Sequence, residues 1–424
     1  MTQINSIWHS PKPSIRAIAF YLPQFHPIPE NDAWWGKGFT EWRNVTKAIP
    51  LYPGHNQPHL PSDLGFYDLR LPEVREAQAE LARNHGIHGF CYYHYWFNGR
   101  QLLERPFKEV LESGKPDFPF CLCWANENWA RTWDGGATNM LMAQAHSEED
   151  DRAHIQHLIP ALKDPRYIRV NGKPLLIIYR PELLPSPNRT AEIWRQAARV
   201  AGIGDIYLAA VEKSDFKPED IGFDASIEFS PNSKDVGQGV FGGRITRQLS
   251  RVGILPKVFS QHSVFRYAAV AEGKMKQVPV RHKRFNCVAP SWDNTPRRQR
   301  DGRILVGSTP ALYEKWLSTA CQQTCARLEG DERIVFINAW NEWAEGCHLE
   351  PDLKWGHAYL EATNRALRGE PLSRPTALGG SGDRKLAKRV STSGLLRQWY
   401  WRMRNSAAHG VDIAKMALRL PTNL

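Results

Sequence analysis

The chain is short of everything that would carry it through or into a membrane. Over 424 residues no run approaches the roughly 20 consecutive apolar residues of a spanning helix. Residues 1–14 are polar and Pro-containing, without the apolar segment of a secretory signal. These two absences predict a cytoplasmic protein. Cysteine is sparse and odd in number: Cys91, Cys121, Cys123, Cys287, Cys321, Cys325 and Cys347 fit reduced thiols better than a disulfide framework. Cys121 and Cys123 read as packing, because no Cys or His partner set at zinc spacing accompanies them. His26, His94 and His348 occur singly on separate segments, so no metal is expected. A Gly-rich strand-to-helix turn is also missing, which removes the phosphate cradle of an ordinary nucleotide-sugar transferase and leaves no cofactor to expect.

What is present is a folded composition, 42% hydrophobic and 11% aromatic, with sixteen Trp. A Trp or Tyr ring offers a flat apolar face and a polar edge, and sugar rings need both stacking and directed hydrogen bonds; for any single Trp, core packing is the plainer reading. The net charge of +11 is concentrated at the end of the chain, where residues 369–424 hold ten basic side chains against three acidic ones. There the run 379–382, Gly-Gly-Ser-Gly, reads as a linker. Beyond it, residues 395–404 mix Trp with Arg as interfacial helices do, so the tail either rests on an anionic membrane or is simply solvated. Nucleic acid is not an expected partner, since the body carries no basic recognition motif.

Apolar runs bounded by Gly, Pro or Asp alternate with helical periodicity. Candidate strands cover 17–22, 88–93, 118–124, 175–179, 206–211, 225–229, 286–289 and 334–339. Candidate helices cover 72–84, 102–113, 148–162, 189–200, 310–328 and 356–367. Eight strands with interleaved helices predict a (β/α)8 barrel over 16–368, with a doubly wound open sheet as the alternative. Two segments break the rhythm: 24–69, dense in Pro, Gly and Trp, and 233–283, where helices could lie over the barrel mouth.

Barrel enzymes place their chemistry just after the strands. Here Tyr21, Gln24 and His26 follow the first candidate strand, and Tyr93, His94 and Trp96 the second. Trp124, Asn126, Glu127 and Trp129 follow the third, with Arg131 and Asp134 beyond; Glu228 follows the sixth, and Trp292 and Asp293 the seventh. The eighth leads into Asn341, Glu342, Trp343, Glu345 and His348. Glycosyl transfer or hydrolysis requires one carboxyl group to protonate a departing oxygen and another to act as base or nucleophile. Glu342 and Glu345, three apart, share a side if the segment turns helically, and mutual repulsion beside Trp340 and Trp343 would hold one of them protonated. The alternative is that Glu345 pairs with the following helix while Glu342 alone faces the pocket. Glu127, between two Asn, reads as a binder of sugar hydroxyls.

The stretches 20–26 (Phe-Tyr-Leu-Pro-Gln-Phe-His), 38–42 (Gly-Phe-Thr-Glu-Trp), 124–129 (Trp-Ala-Asn-Glu-Asn-Trp) and 341–346 (Asn-Glu-Trp-Ala-Glu-Gly), with Glu350 and Pro351, carry a resemblance. The chain resembles the WbsX family of bacterial polysaccharide-biosynthesis proteins, itself similar to glycoside hydrolase family 99, the endo-α-mannosidases. The resemblance spans most of 16–368 and leaves the tail outside. It implies a (β/α)8 barrel and retaining chemistry at α-linked sugars, with Glu342 as the base that draws a proton from the sugar's own 2-hydroxyl and Glu345 as general acid/base. It adds Glu41, Trp42 and Glu350 to the expected substrate-binding residues. Ala344 departs from the hydrolase pattern, which has His there. The expected function is surface-polysaccharide (O-antigen, lipopolysaccharide) metabolism on an oligosaccharide or lipid-linked glycan at the inner face of the membrane. Glycosyltransferase and glycoside hydrolase both remain open, and a sugar-binding protein without catalysis is the alternative class.

Overall fold

A computed structural model describes residues 15–372 apart from 53, 131–139, 214, 233–243, 253 and 254. Each apolar run becomes a strand with little exposure on either face, as a parallel sheet wrapped by helices requires. The barrel strands are β1 (Arg16–Tyr21), β2 (Ile87–Phe97), β3 (Phe120–Trp124), β4 (Lys173–Ile178), β5 (Tyr207–Val211), β6 (Ala225–Ile227), β7 (Arg284–Val288) and β8 (Ile334–Ile337). They pair in chain order, all parallel, and β8 returns to β1: Ile18 lies between Phe336 on one side and Gly89 on the other. That closure excludes the open sheet.

Besides two short helices after β6, the helices among the described residues are α1 (Pro29–Trp35), α2 (Glu41–Thr46), α3 (Pro72–Asn84), α4 (Arg105–Ser113), α5 (Glu148–Lys163), α6 (Pro187–Val200), α7 (Tyr267–Met275), α8 (Pro310–Arg327) and α9 (Ala358–Arg368). Proline opens α3, α6 and α8, where its missing N–H costs nothing. The side chains of Ser147 and Thr309 accept from the Asp150 and Leu312 backbone N–H groups and cap α5 and α8. Glu148, Glu149, Asp150 and Asp151 place four carboxylates against the positive end of α5.

The expected helix from residue 102 starts later, at Arg105, because β2 runs on to Phe97 and turns back: Phe97 pairs with Arg100 and Tyr95 with Leu102. Asn98 and Gly99 both have positive φ, 46° and 87°, the two-residue turn that Asn-Gly favours between strands. The long segment after β1 holds α1 and α2. The segment after β6 supplies helices Arg244–Arg251 and Val258–Gln261, a strand Ser263–Arg266 paired in parallel with Arg303–Val306, and then α7. Between β5 and β6 only a short turn, Pro218–Ile221, replaces a helix.

Inside the barrel, Phe20 packs against Phe229 and Phe336 at 5.4 Å and Tyr93 at 5.6 Å between ring centres, and Tyr179 meets Phe229 at 5.3 Å. Such pairs add about 0.5–1.5 kcal/mol each beyond the area they bury, so this aromatic plug is a rigid floor for whatever lies above it. All seven cysteines are free thiols. The linker at 379–382 and the basic tail lie outside the described residues, as do Arg131 and Asp134. No helix among the described residues is long and apolar enough to cross a membrane.

Candidate active site

After β8 the chain makes a tight hairpin in which Asn341 pairs with His348 and Glu342 with Cys347. Trp343–Glu345 forms a single 3-10 turn between the two arms. In a 3-10 turn residues three apart eclipse, so Glu342 and Glu345 present their carboxylates on one side. Gly346 ends the turn at φ 56°, and a Cβ there would lie 3.1–3.2 Å from the Asp293 backbone and Cβ. This close approach lets the Asp293 N–H donate to Glu345 O at 2.6 Å and lock the hairpin to the loop after β7.

What joins the two glutamates is a residue that the sequence reading passed over. Arg297, also in the loop after β7, directs Nη2 to Glu342 Oε2 at 2.8 Å, Nη1 to Glu345 Oε1 at 2.8 Å and Nε to Glu41 Oε1 at 2.7 Å. Glu41 is fully buried at the start of α2, and Glu342 is only 5% exposed. Three carboxylates on one guanidinium leave negative charge in excess. Burial pushes the Glu342 carboxyl up to about 8; Arg297 opposes this, while Glu345 and Glu41 add to it. At neutral pH the cluster therefore holds a proton on Glu342, next to the more open Glu345, whose side chain is 21% exposed. Glu41 Oε2 and Gln24 Nε2 are buried without a hydrogen-bond partner among the described residues, so both keep capacity for a ligand.

Tyr93 and Tyr95 stand close enough to Glu342 for its charge to raise their hydroxyls, though burial does more. Trp129 packs against Tyr95 at 5.1 Å and Trp34 at 5.7 Å between ring centres. Lys213, just after β5, was also missed. Its ammonium sits 4.4 Å from the Tyr179 ring centre and 4.0 Å from that of Phe229. Burial draws it down to about 8, against Glu127 and Glu345, which hold it charged.

Of the other expected site residues, His94, Trp96, Trp124 and Glu228 lie elsewhere, while the charge of Glu127 reaches Lys213 and Tyr179 beside that of Glu345. Along β2 alternate side chains face opposite ways, so His94 and Trp96 point away from the side of Tyr93 and Tyr95. His94 Nε2 meets His154 Nε2 on α5 at 2.9 Å, and Trp96 donates to Asp150 at 2.9 Å. Trp124 likewise packs against His154 and Trp194. Asn126 exchanges two 2.8 Å hydrogen bonds with the Arg180 backbone, while Glu127 pairs with the Arg180 side chain. Glu228 is bound to Lys274 at 2.7 Å and lines a separate cavity of about 700 Å³ with Glu212 and Arg284.

Tyr21, Asn341, Trp343 and Glu350 form a buried brace behind the hairpin. Tyr21 donates to Gln78 at 2.6 Å; Gln78, Tyr67 and Trp343 donate to Glu350 at 2.6, 2.8 and 2.6 Å. Asn341 clamps the Leu22 backbone with two bonds of 2.7 and 3.0 Å. Burial raises Glu350 to about 7 despite its three donors. Trp42 supports Trp343 from behind, 5.6 Å between ring centres. His26 is buried and held neutral, pulled down to about 4 by desolvation.

Asp293 would be raised by burial, but hydrogen bonds from His55, Gln57 and Thr295 hold it down at about 2. With Trp292 it lines a cavity of about 450 Å³ that includes Gly346 and His348 but neither Glu342 nor Glu345.

A sequence profile of the family described as Glycosyltransferase WbsX matches residues 17–363. The chain belongs to the WbsX family. Two relatives described as uncharacterized protein WxcX, from Xanthomonas campestris pv. campestris strains B100 and ATCC 33913, are each 49% identical over 358 residues. That stretch covers 84% of this chain and 50% of theirs, so the chain spans about half the length of these relatives. Among solved structures, a protein titled glycoside hydrolase-like superposes with TM-score 0.52 at 15% identity, over 84% of this chain and 95% of that one, which shows a shared fold. The GH99 endo-alpha-mannosidase of Bacteroides thetaiotaomicron superposes at TM-score 0.48 with 16% identity, over 83% of this chain and 96% of its own. The motifs that carry the WbsX resemblance, residues 20–26, 38–42, 124–129 and 341–346, all fall within the matched span.

Proposed function

We propose that this WbsX domain is a carbohydrate-active enzyme of surface-polysaccharide metabolism that makes or cleaves an α-glycosidic bond with Glu342 and Glu345. The observation that carries the reading is the single guanidinium of Arg297 holding both carboxylates on one side of a rigid hairpin, in unlike surroundings. Glu342, buried and pushed up to about 8, is the strong base once ionised and takes the proton of the sugar's 2-hydroxyl as that oxygen attacks the anomeric carbon. Glu345, more open, takes over the pair's proton from Glu342 in the reacting microstate, gives it to the departing oxygen and recovers one from the incoming water or sugar hydroxyl. Gln24 and Glu41 supply hydrogen bonds to the ring, and Tyr93, Tyr95 and Trp129 supply apolar walls.

The substrate in this reading is an oligosaccharide or lipid-linked glycan met at the cytoplasmic face of the membrane. The family name and the basic sequence of the tail support it. Purified protein incubated with lipid-linked oligosaccharide, read by mass spectrometry, gives longer chains if it transfers and shorter ones if it hydrolyses. Glu342→Gln and Glu345→Gln should abolish either change. Unchanged turnover in both variants would leave a sugar-binding role instead. Liposome co-sedimentation lost on removing residues 380–424 supports the membrane contact, and unaffected sedimentation refutes it.

A further inference from the structure

We propose that His59, His348 and Asp352 form a binding site for one divalent first-row transition ion, zinc by preference, in the wall of the cavity beside the hairpin. This goes beyond the glycosidic reading and does not rest on it. The three donor atoms lie within 4.8 Å of one another. His59 Nδ1 is 2.9 Å from His348 Nε2, which is 3.9 Å from Asp352 Oδ2.

Backbone pairing sets this meeting across 289 residues of sequence. Ser62 N–H donates to Pro351 O at 3.0 Å and Leu353 N–H to Leu60 O at 2.9 Å, zipping the two loops together. Each ligand is then oriented from behind, as metal ligands are. His348 Nδ1 bonds to Glu350 O at 2.9 Å, which places its proton there and leaves the Nε2 lone pair facing His59. The Trp343 ring stacks on His348 at 3.7 Å between centres. Asp352 Oδ1 accepts from the Lys354 and Trp355 N–H groups at 2.9 and 2.6 Å, so Oδ2 is the oxygen directed to the histidines.

Without metal, the short His59–His348 contact is a hydrogen bond whose proton sits on His59 Nδ1. Binding moves that proton to Nε2 of the same ring, and the ion takes its place with no change in net protein charge. Zinc–nitrogen bonds of about 2.0–2.1 Å in a tetrahedral site separate two ligand nitrogens by roughly 3.3 Å, so the rings need open by only a few tenths of an ångström. Two imidazoles and one carboxylate suit zinc and its neighbours over calcium or magnesium. The cavity of about 450 Å³, lined by His59, His348 and Asp352 together with Trp292, Trp355 and Tyr359, leaves room for water or a sugar hydroxyl at the fourth position.

The test uses the full chain, stripped with a chelator, dialysed against zinc chloride and analysed for bound metal by mass spectrometry, with circular dichroism to verify folding. Wild type should retain one zinc per chain. His59→Gln and Asp352→Asn, both folded, should retain less than a tenth of that, while His94→Gln, in the other close imidazole pair, should retain it fully. Cobalt substituted for zinc should give the visible absorption of a tetrahedral site in wild type and lose it in His59→Gln. A folded wild type without zinc, or His59→Gln and Asp352→Asn binding as much as wild type, would overturn the site.

Discussion

Arg297 Nη2 lies 2.8 Å from Glu342 Oε2, within a guanidinium whose other two nitrogens are taken by Glu345 and Glu41. One buried cation therefore holds three acidic groups that would otherwise repel each other at the mouth of the barrel. Arg297→Met should cost about 3–5 kcal/mol, the usual penalty for stranding buried partners of an ion pair, read as a lower urea midpoint with an unchanged slope. Arg297→Lys keeps the charge but not the fork, and should fall between that variant and wild type.

The pH profile depends on which form of Glu342 is required. As a carboxyl raised to about 8, it is mostly protonated at pH 7, and a base must first ionise. It ionises by handing the pair's proton to Glu345, which needs it for the departing oxygen, so the rate should hold near neutrality and fall as that proton is lost above about pH 8. A rate that climbs through pH 8 and then levels off would show that no proton on the pair is needed and would contradict the acid role of Glu345. The same shift affects stability. The folded state keeps the proton over a range in which the unfolded carboxyl, near 4.5, has lost it, so this residue's contribution declines from about pH 4.5 to about 8.

Lys213→Met retains an alkyl chain over Tyr179 and Phe229 but removes the ammonium facing Glu345. Loss of the cation–π contact should lower stability by about 1–2 kcal/mol, and loss of the charge acting on Glu345 should lower kcat/KM. Steady-state kinetics beside a melting curve would separate the two effects.

Gly346→Ala tests the hairpin. Its φ of 56° costs a non-glycine residue about 1–2 kcal/mol, and the added Cβ meets Asp293 at 3.1–3.2 Å. A modest fall in melting temperature with a disproportionate loss of kcat is expected, because Glu345 is carried by the neighbouring residue. Equal, small losses in both would show that the turn tolerates displacement.

The barrel was legible because its strands are apolar on both faces and its helices begin with Pro, Ser or Thr, signals that act within a few residues. The hairpin at Asn98-Gly99 was equally legible, yet a helical pattern starting at Leu102 obscured it. The site was harder to read. Polar and aromatic residues crowd the strand ends without regard to parity, so His94, Trp96 and Trp124 read like Tyr93 and Tyr95 until alternation turns them toward α5. Glu228 looks available in sequence and is bound by Lys274, 46 residues away. Arg297 stands in a run of Arg297, Arg298 and Arg300 that reads as solvated charge, and its partners Glu41, Glu342 and Glu345 lie on two other loops. His59 gave no signal because its meeting with His348 depends on two loops zipped together far apart in the chain.

The central claim is that Glu342 and Glu345 act on one glycosidic bond. A crystal structure of the Glu345→Gln variant with an oligosaccharide substrate tests it most directly. The claim predicts a sugar whose anomeric carbon lies between residues 342 and 345, with its 2-hydroxyl within hydrogen-bond reach of Glu342 and the scissile oxygen against the side-chain amide introduced at position 345. A sugar seated instead in the cavity of Trp292, Trp355 and Tyr359, beyond reach of both, would contradict it.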